Sequence, residues 1–260
     1  MLRAMFMPIA LTPKMVIIVV IGVFLAALID GISGGGGIIA VPVYLIAGLP
    51  PHLALGTNKL SSIVGKAVST TRFIRHGYVD WKLGLPSVAL AIVGAHLGTR
   101  LQLAIDERYL KWLLLIVLPL VAVAVLRQKQ LPDEPGDIAP GRRAAIVWAA
   151  AFVLGAYDGF YGPGVGTFLI LIFCNLAKMD VRTAAGTVKL VNFASNIGAV
   201  VTSFLAGKVF IALGLIAGVA SVTGHYIGSG LAIRDGSKIV RPVVIVVLAA
   251  LTVKVITELL

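Results

Sequence analysis

Gly56-Thr57-Asn58-Lys59-Leu60 returns as Gly186-Thr187-Val188-Lys189-Leu190, 130 positions further along the chain. At the same offset Gly77, Gly84, Gly94 and Gly98 return as Gly207, Gly214, Gly224 and Gly228. The segment from Gly56 to Leu126 holds six glycines, and five of them recur in register. With 29 glycines among 260 residues, about one such coincidence is expected by chance, so the chain reads as a duplicated unit. A second pair, Asp30-Gly31 and Asp158-Gly159, lies at offset 128. The repeat therefore starts near Gly22 and again near Trp148, with a two-residue indel between the copies. In a membrane chain, such duplication points to a transporter.

Composition places the chain in a membrane. Hydrophobic residues make up 59% and charged residues 13%, against about 45–50% and about 25% in soluble domains. Leu83 to Ala104 and Lys111 to Leu126 approach or exceed the roughly 20 residues needed to cross the hydrocarbon. Met15 to Ile29 is not followed by a small-residue cleavage site and a polar mature start, so it does not read as a signal peptide. Cys174 is the single cysteine and excludes an internal disulfide. The formal charge of +11 does not indicate nucleic acid, because the basic residues sit in short loops between apolar spans, as the positive-inside rule requires.

Five apolar stretches are expected in each half: 15–32, 36–50, 54–75, 83–101 and 110–126, then 144–158, 163–177, 183–206, 209–232 and 239–259. The fold class expected is an all-α polytopic membrane protein. It has two inverted repeats of about five segments each, with broken or re-entrant helices at the glycine-rich motifs, because an odd count inverts the second copy. A rival count joins each first pair into one crossing. Five segments put twelve basic residues on one side and six on the other, whereas four split them ten to eight; the sharper bias favours five. The expected organisation is a tail at 1–14, a first repeat at 15–126, a cytoplasmic polar linker at 127–143 and a second repeat at 144–260. Trp81, Trp112 and Trp148 fall at ends of spans and read as interfacial anchors, and Lys254 reads as lying near an end.

Lys59, Lys66 and Lys189 lie inside otherwise apolar helices, where an ionised side chain costs several kcal/mol, about 2.5 to above 10. Lys59, Ser62 and Lys66 share one helical face by their i, i+3, i+7 spacing, and their repeat partners are Lys189, Asn192 and Asn196. Two polar stripes thus occupy equivalent places and offer ammonium and amide donors to one central cavity. The bland alternative is that the lysines snorkel, or pair with Asp30 and Asp158 for folding alone. The runs Asp30-Gly31-Ile32-Ser33-Gly34-Gly35-Gly36-Gly37 and Asp158-Gly159-Phe160-Tyr161-Gly162-Pro163-Gly164 break the helices. Broken backbone at membrane depth belongs at a cavity or inside protein, and the helix starts after each break direct N–H groups there. Gly94 and Gly98 read instead as sites of close helix packing.

The Asp-Gly-x-x-Gly-Gly-Gly-Gly break with Pro42 after it, the Gly56 to Leu60 run, the Tyr157 to Pro163 break and Lys189-Leu190-x-Asn192-x-x-Ser195-Asn196-x-Gly198 together resemble the TauE/SafE sulfite exporter family, from about Gly22 to Leu259. The resemblance implies a multi-pass carrier of the bacterial inner membrane, with sulfite, sulfoacetate and related organosulfur anions as the associated substrates. It does not carry the substrate over with the fold.

Residues and resemblance agree on a small anion. The expected site holds a sulfur-oxyanion or sulfonate between the stripes. Its candidate residues are Lys59, Lys66 and Lys189, Asn58, Ser62, Asn192 and Asn196, the backbone of Gly34, Gly35, Gly36, Gly162 and Gly164, and Tyr161. Asp30 and Asp158 are candidates for a coupled proton, since a carboxyl at membrane depth can exist protonated as well as ionised; His96 and His225 are weaker ones. The aspartates could equally neutralise Lys59 and Lys189 between transport cycles. No cofactor and no metal are expected, and the partners expected are the anion and the bilayer, with a homodimer as compatible as a monomer. Gly31-Ile32-Ser33-Gly34-Gly35 formally matches a nucleophile elbow, but no strand precedes it and Tyr161 replaces Ser33 in the second copy, so no enzyme is expected. A passive channel and a non-transporting subunit of a membrane complex are the alternatives.

Overall fold

Proline and glycine set the limits of the helices in the computed structural model, which describes residues 10–109 and 134–235. Eight helices lie among the described residues: α1 Pro13–Ser33, α2 Gly37–Ile46, α3 Pro51–Arg75, α4 Trp81–Ala104, α5 Pro140–Phe160, α6 Val165–Asn175, α7 Val181–Leu205 and α8 Ile211–Asp235. Proline opens α1, α3 and α5, where its missing N–H costs nothing. Asp80 and Asp180 cap α4 and α7 by accepting from the N–H groups two and three residues on. Five helices, α1, α4, α5, α7 and α8, are long and apolar enough to cross a membrane, so the chain is a multi-pass membrane protein.

The first four stretches expected in each half each form one helix. The fifth ones, at 110–126 and 239–259, lie outside the described residues, as do Trp112, Lys254, most of the 1–14 tail and positions 127–133 of the linker. α5 begins at Pro140, inside the stretch expected as linker, and runs through Arg142 and Arg143.

The short second stretch is neither a full crossing nor a continuation of the first. α2 has ten residues, about 15 Å of helix against roughly 30 Å of hydrocarbon. It folds back along α1: Gly22 abuts Val43, and Gly36 abuts the Ala26 carbonyl and Asp30. The turn between them is made by Gly34 with φ 77°, a left-handed conformation that suits glycine. α6, with eleven residues, folds along α5 in the same manner. The Tyr157 ring meets Phe168, the Tyr157 hydroxyl donates to the Pro163 carbonyl at 2.8 Å, and Val147, Ala150 and Ala151 share a core with Leu169, Ile170 and Phe173.

The halves pack on each other reciprocally. α1 lies against α8 and α5 against α4, while α3 lies against α8 and α7 against α4. The recurring glycines mark these contacts. Gly94 and Gly98 lie against the carbonyls of Phe152 and Ala156, and Gly224 and Gly228 against those of Phe24 and Leu28, so equivalent glycines meet equivalent backbone. At the centre α3 and α7 run antiparallel: the Thr70 hydroxyl donates to the Lys189 carbonyl at 3.1 Å, while Lys59 and Asn196 meet on one carboxylate. The two glycine breaks also touch, Gly34 against Gly166 and Gly37 against Pro163.

Candidate functional site

All the buried lysines and aspartates among the described residues gather at this central contact. Lys59, Lys66, Lys189, Asp30 and Asp158 are each between 1% and 8% exposed. Ions so far out of water persist only when paired or put to use. A small cavity of about 20 Å³ lies among them, and its walls include Asp30, Lys59, Lys66, Asp158, Asn196 and His225.

Each half supplies a lysine to the other half's aspartate. Lys59 of α3 bonds Oδ1 of Asp158 on α5 at 2.7 Å. The second oxygen of Asp158 accepts from the Ser195 hydroxyl at 2.6 Å and from the Asn196 amide at 2.9 Å. This carboxylate is saturated by short, charge-assisted bonds. In return, the Lys189 ammonium of α7 donates to the backbone carbonyl of Asp30 on α1.

The Asp30 carboxylate is held more loosely. Oδ1 accepts the Gly36 N–H at 3.1 Å, which ties the break between α1 and α2 to the end of α1. Oδ2 lies 3.9 Å from the Lys66 ammonium, beyond hydrogen-bonding distance, and 3.4 Å from Nε2 of His225. Three buried ammonium groups thus face two buried carboxylates, one positive charge in excess. Lys66 has only the 3.9 Å ion pair with Asp30, and Lys189 bonds a backbone carbonyl in place of a carboxylate.

The remaining sequence candidates divide by position. Asn58 and Ser62 line the cavity and bond to each other, the Ser62 hydroxyl donating to Asn58 Oδ1 at 3.3 Å. Gly34, Gly36 and Gly162 also line it, whereas Gly35, Gly164, Tyr161, Asn192 and Lys189 are not in its wall. Gly164, at φ 78°, forms the N-cap of α6, and Tyr161 is buried in the protein at 1% exposure. Asn192 contributes its backbone carbonyl to Ser195 and Asn196. Trp148 donates from its indole to the Leu83 carbonyl at 3.2 Å, so it joins two helices rather than only marking an interface.

The two histidines change rank. His96 is on an outward face of α4, with Nδ1 2.8 Å from the Thr202 hydroxyl, away from the cavity. His225 on α8 is 1% exposed and in the cavity wall. The signal that could have found it is a paired irregularity in the repeat. Position 65 is glycine where position 195 is serine, and position 225 is histidine where position 95 is alanine. A Cβ at Gly65 would meet the His225 ring and Ser221, so glycine on α3 makes the room that the ring on α8 fills. In the other half Ala95 is small, and Ser195 supplies the donor to Asp158.

Comparison with known proteins gives a consistent picture. The family described as "Sulfite exporter TauE/SafE" matches residues 19–255. The chain is 35% identical over 241 residues to the "Probable membrane transporter protein ORF9" of Sinorhizobium sp., covering 92% of this chain and 91% of that one. It is 33% identical to the "Probable membrane transporter protein YfcA" of Escherichia coli K12, covering 90% and 87%. It is also 26% identical to the "Probable membrane transporter protein YdhB" of Bacillus subtilis, covering 82% and 88%. No solved structure matches.

Proposed function

The chain belongs to the sulfite exporter TauE/SafE family of membrane transporters, and from that membership we propose that it is a secondary carrier of a small anion. The substrate class is sulfite or an organosulfonate, and the direction is export across the bacterial inner membrane. The observation that carries this reading is the excess of one buried ammonium over the buried carboxylates at a central cavity. A buried net charge is costly, and a bound monoanion cancels it. Lys66, in the cavity wall with only a 3.9 Å ion pair to Asp30, holds the anion; Lys189 adds its charge from behind that wall, and the N-terminal ends of α2 and α6 add their helix dipoles.

The reciprocal packing and the antiparallel course of α3 and α7 support two inverted repeats that rock against each other in alternating access. α2 and α6 then act as the re-entrant legs that close on the anion from opposite sides. A passive channel is the second reading. Proteoliposomes loaded with sulfite or a panel of sulfonates separate the two: a carrier gives saturable flux, accelerated by substrate on the far side, and the Lys66→Met/Lys189→Met pair abolishes it. Unsaturable flux in the wild type supports a channel. Saturable flux that survives the double substitution removes the two lysines from the site.

A further inference from the structure

The two ends of the cavity are unequal, and the difference lies in one side chain. Asp158 is closed by Lys59, Ser195 and Asn196 at 2.6–2.9 Å. Asp30 is approached by the Lys66 ammonium and the His225 ring at 3.4–3.9 Å. The ring offers Nε2 to Asp30, and its other nitrogen, Nδ1, is buried with no hydrogen-bond partner among the described residues. An imidazole whose Nε2–H donates to a carboxylate leaves Nδ1 as a bare acceptor. Such an atom, buried without a donor, is costly unless another state of the protein uses it.

We propose that His225 takes up a proton on Nδ1 when the anion binds, so that the imidazolium bridges Asp30 through Nε2–H and the anion through Nδ1–H. This deepens the carrier reading and rests on it. The groups that face the ring are Asp30 from α1, Lys66 from α3 and Lys189 from α7, with Ser221 on its own helix. Without an anion, a proton on the ring adds a charge beside two ammonium groups in a centre that already has one in excess. With an anion on Lys66, that repulsion is cancelled and Nδ1–H gains an acceptor. Anion binding and proton binding therefore favour each other, and the linkage is reciprocal. One anion and one proton enter together, Nδ1 gaining the proton as its N–H bond forms, and both leave when the site opens to the other side. Asp30 is the positioning residue that holds the tautomer.

The test uses the whole chain in lipid nanodiscs and ethanesulfonate, which keeps its single charge from pH 5.5 to 8. Wild-type protein is expected to take up close to one proton per bound sulfonate, read by a pH indicator in weak buffer, and to bind up to about tenfold more tightly per unit fall in pH. His225→Gln keeps an amide facing Asp30 but cannot titrate; it is expected to bind with no proton uptake and no pH dependence. Wild-type binding without proton uptake, or equal uptake by His225→Gln, overturns the proposal while leaving the anion carrier standing. Wild-type protein that binds neither ethanesulfonate nor sulfite overturns both.

Discussion

Breaking the Lys59–Asp158 pair one partner at a time is the most exacting perturbation the fold allows. The two side chains are 6% and 2% exposed and 2.7 Å apart, so removal of either leaves a buried charge behind, at about 3–5 kcal/mol. Asp158→Asn belongs at the upper end. It strands the Lys59 ammonium and also turns an amide toward the Ser195 and Asn196 donors that now bond the carboxylate. Lys59→Met belongs at the lower end, because those same two donors continue to stabilise Asp158. In a chain of this size about 2–4 °C of melting temperature accompanies each kcal/mol, which gives falls of about 6–20 °C in detergent. Lys59→Met/Asp158→Asn removes both ions and is expected to recover most of that loss, since apolar or neutral replacement of a buried pair is often nearly neutral. The cycle should show a coupling of several kcal/mol, well above the roughly 0.5 kcal/mol seen for independent sites. Additive losses, or single variants as stable as the wild type, would refute the reasoning that this pair ties the two halves.

Two further outcomes follow from the glycines and the cysteine. Gly77 has φ 73° with nothing near a would-be Cβ, whereas at Gly98 that atom would meet the Ala156 carbonyl. Gly77→Ala is therefore expected to cost about 1 kcal/mol and Gly98→Ala about 1–3 kcal/mol or more, compared by melting temperature; equal costs would sink the close-packing account of the repeat. Cys174 is 1% exposed and should resist a small thiol reagent in the folded protein, while Ser62→Cys in a Cys174→Ala background should react through the cavity and be protected by ethanesulfonate, which does not itself consume the reagent. Failure of ethanesulfonate to slow that reaction would put the anion elsewhere.

The duplication was legible because its glycines are steric requirements: Gly94 and Gly98 recur as Gly224 and Gly228 since each must admit a neighbour's carbonyl. The membrane, the helices and the three intramembrane lysines were legible for an equally physical reason, the cost of charge and broken backbone in hydrocarbon. Which lysine meets which aspartate was not, since Lys59 could face Asp30 or Asp158 on spacing alone, and only the antiparallel packing of α3 and α7 decides it. α2 and α6 could be seen as short, but their direction depends on the Gly22–Val43 contact, which no periodicity encodes. His225 has no histidine counterpart in the repeat; its significance lies in the compensating pair Gly65 and His225, whose joint departure from Ser195 and Ala95 gains a meaning once α3 and α8 are placed side by side.

The exchange of lysines between halves also constrains how the protein is made. Asp158 follows Lys59 by 99 residues and Lys189 follows Asp30 by 159. At about 5–20 residues per second, Lys59 waits roughly 5–20 s in the bilayer or the insertion machinery before its partner is synthesised. During that interval the first half carries two buried ammonium groups against one buried aspartate, so one ammonium is left unneutralised. It is a poor membrane resident until the second half arrives, so a chain truncated between the halves is a natural substrate for membrane proteolysis, and the two halves expressed separately should accumulate only together.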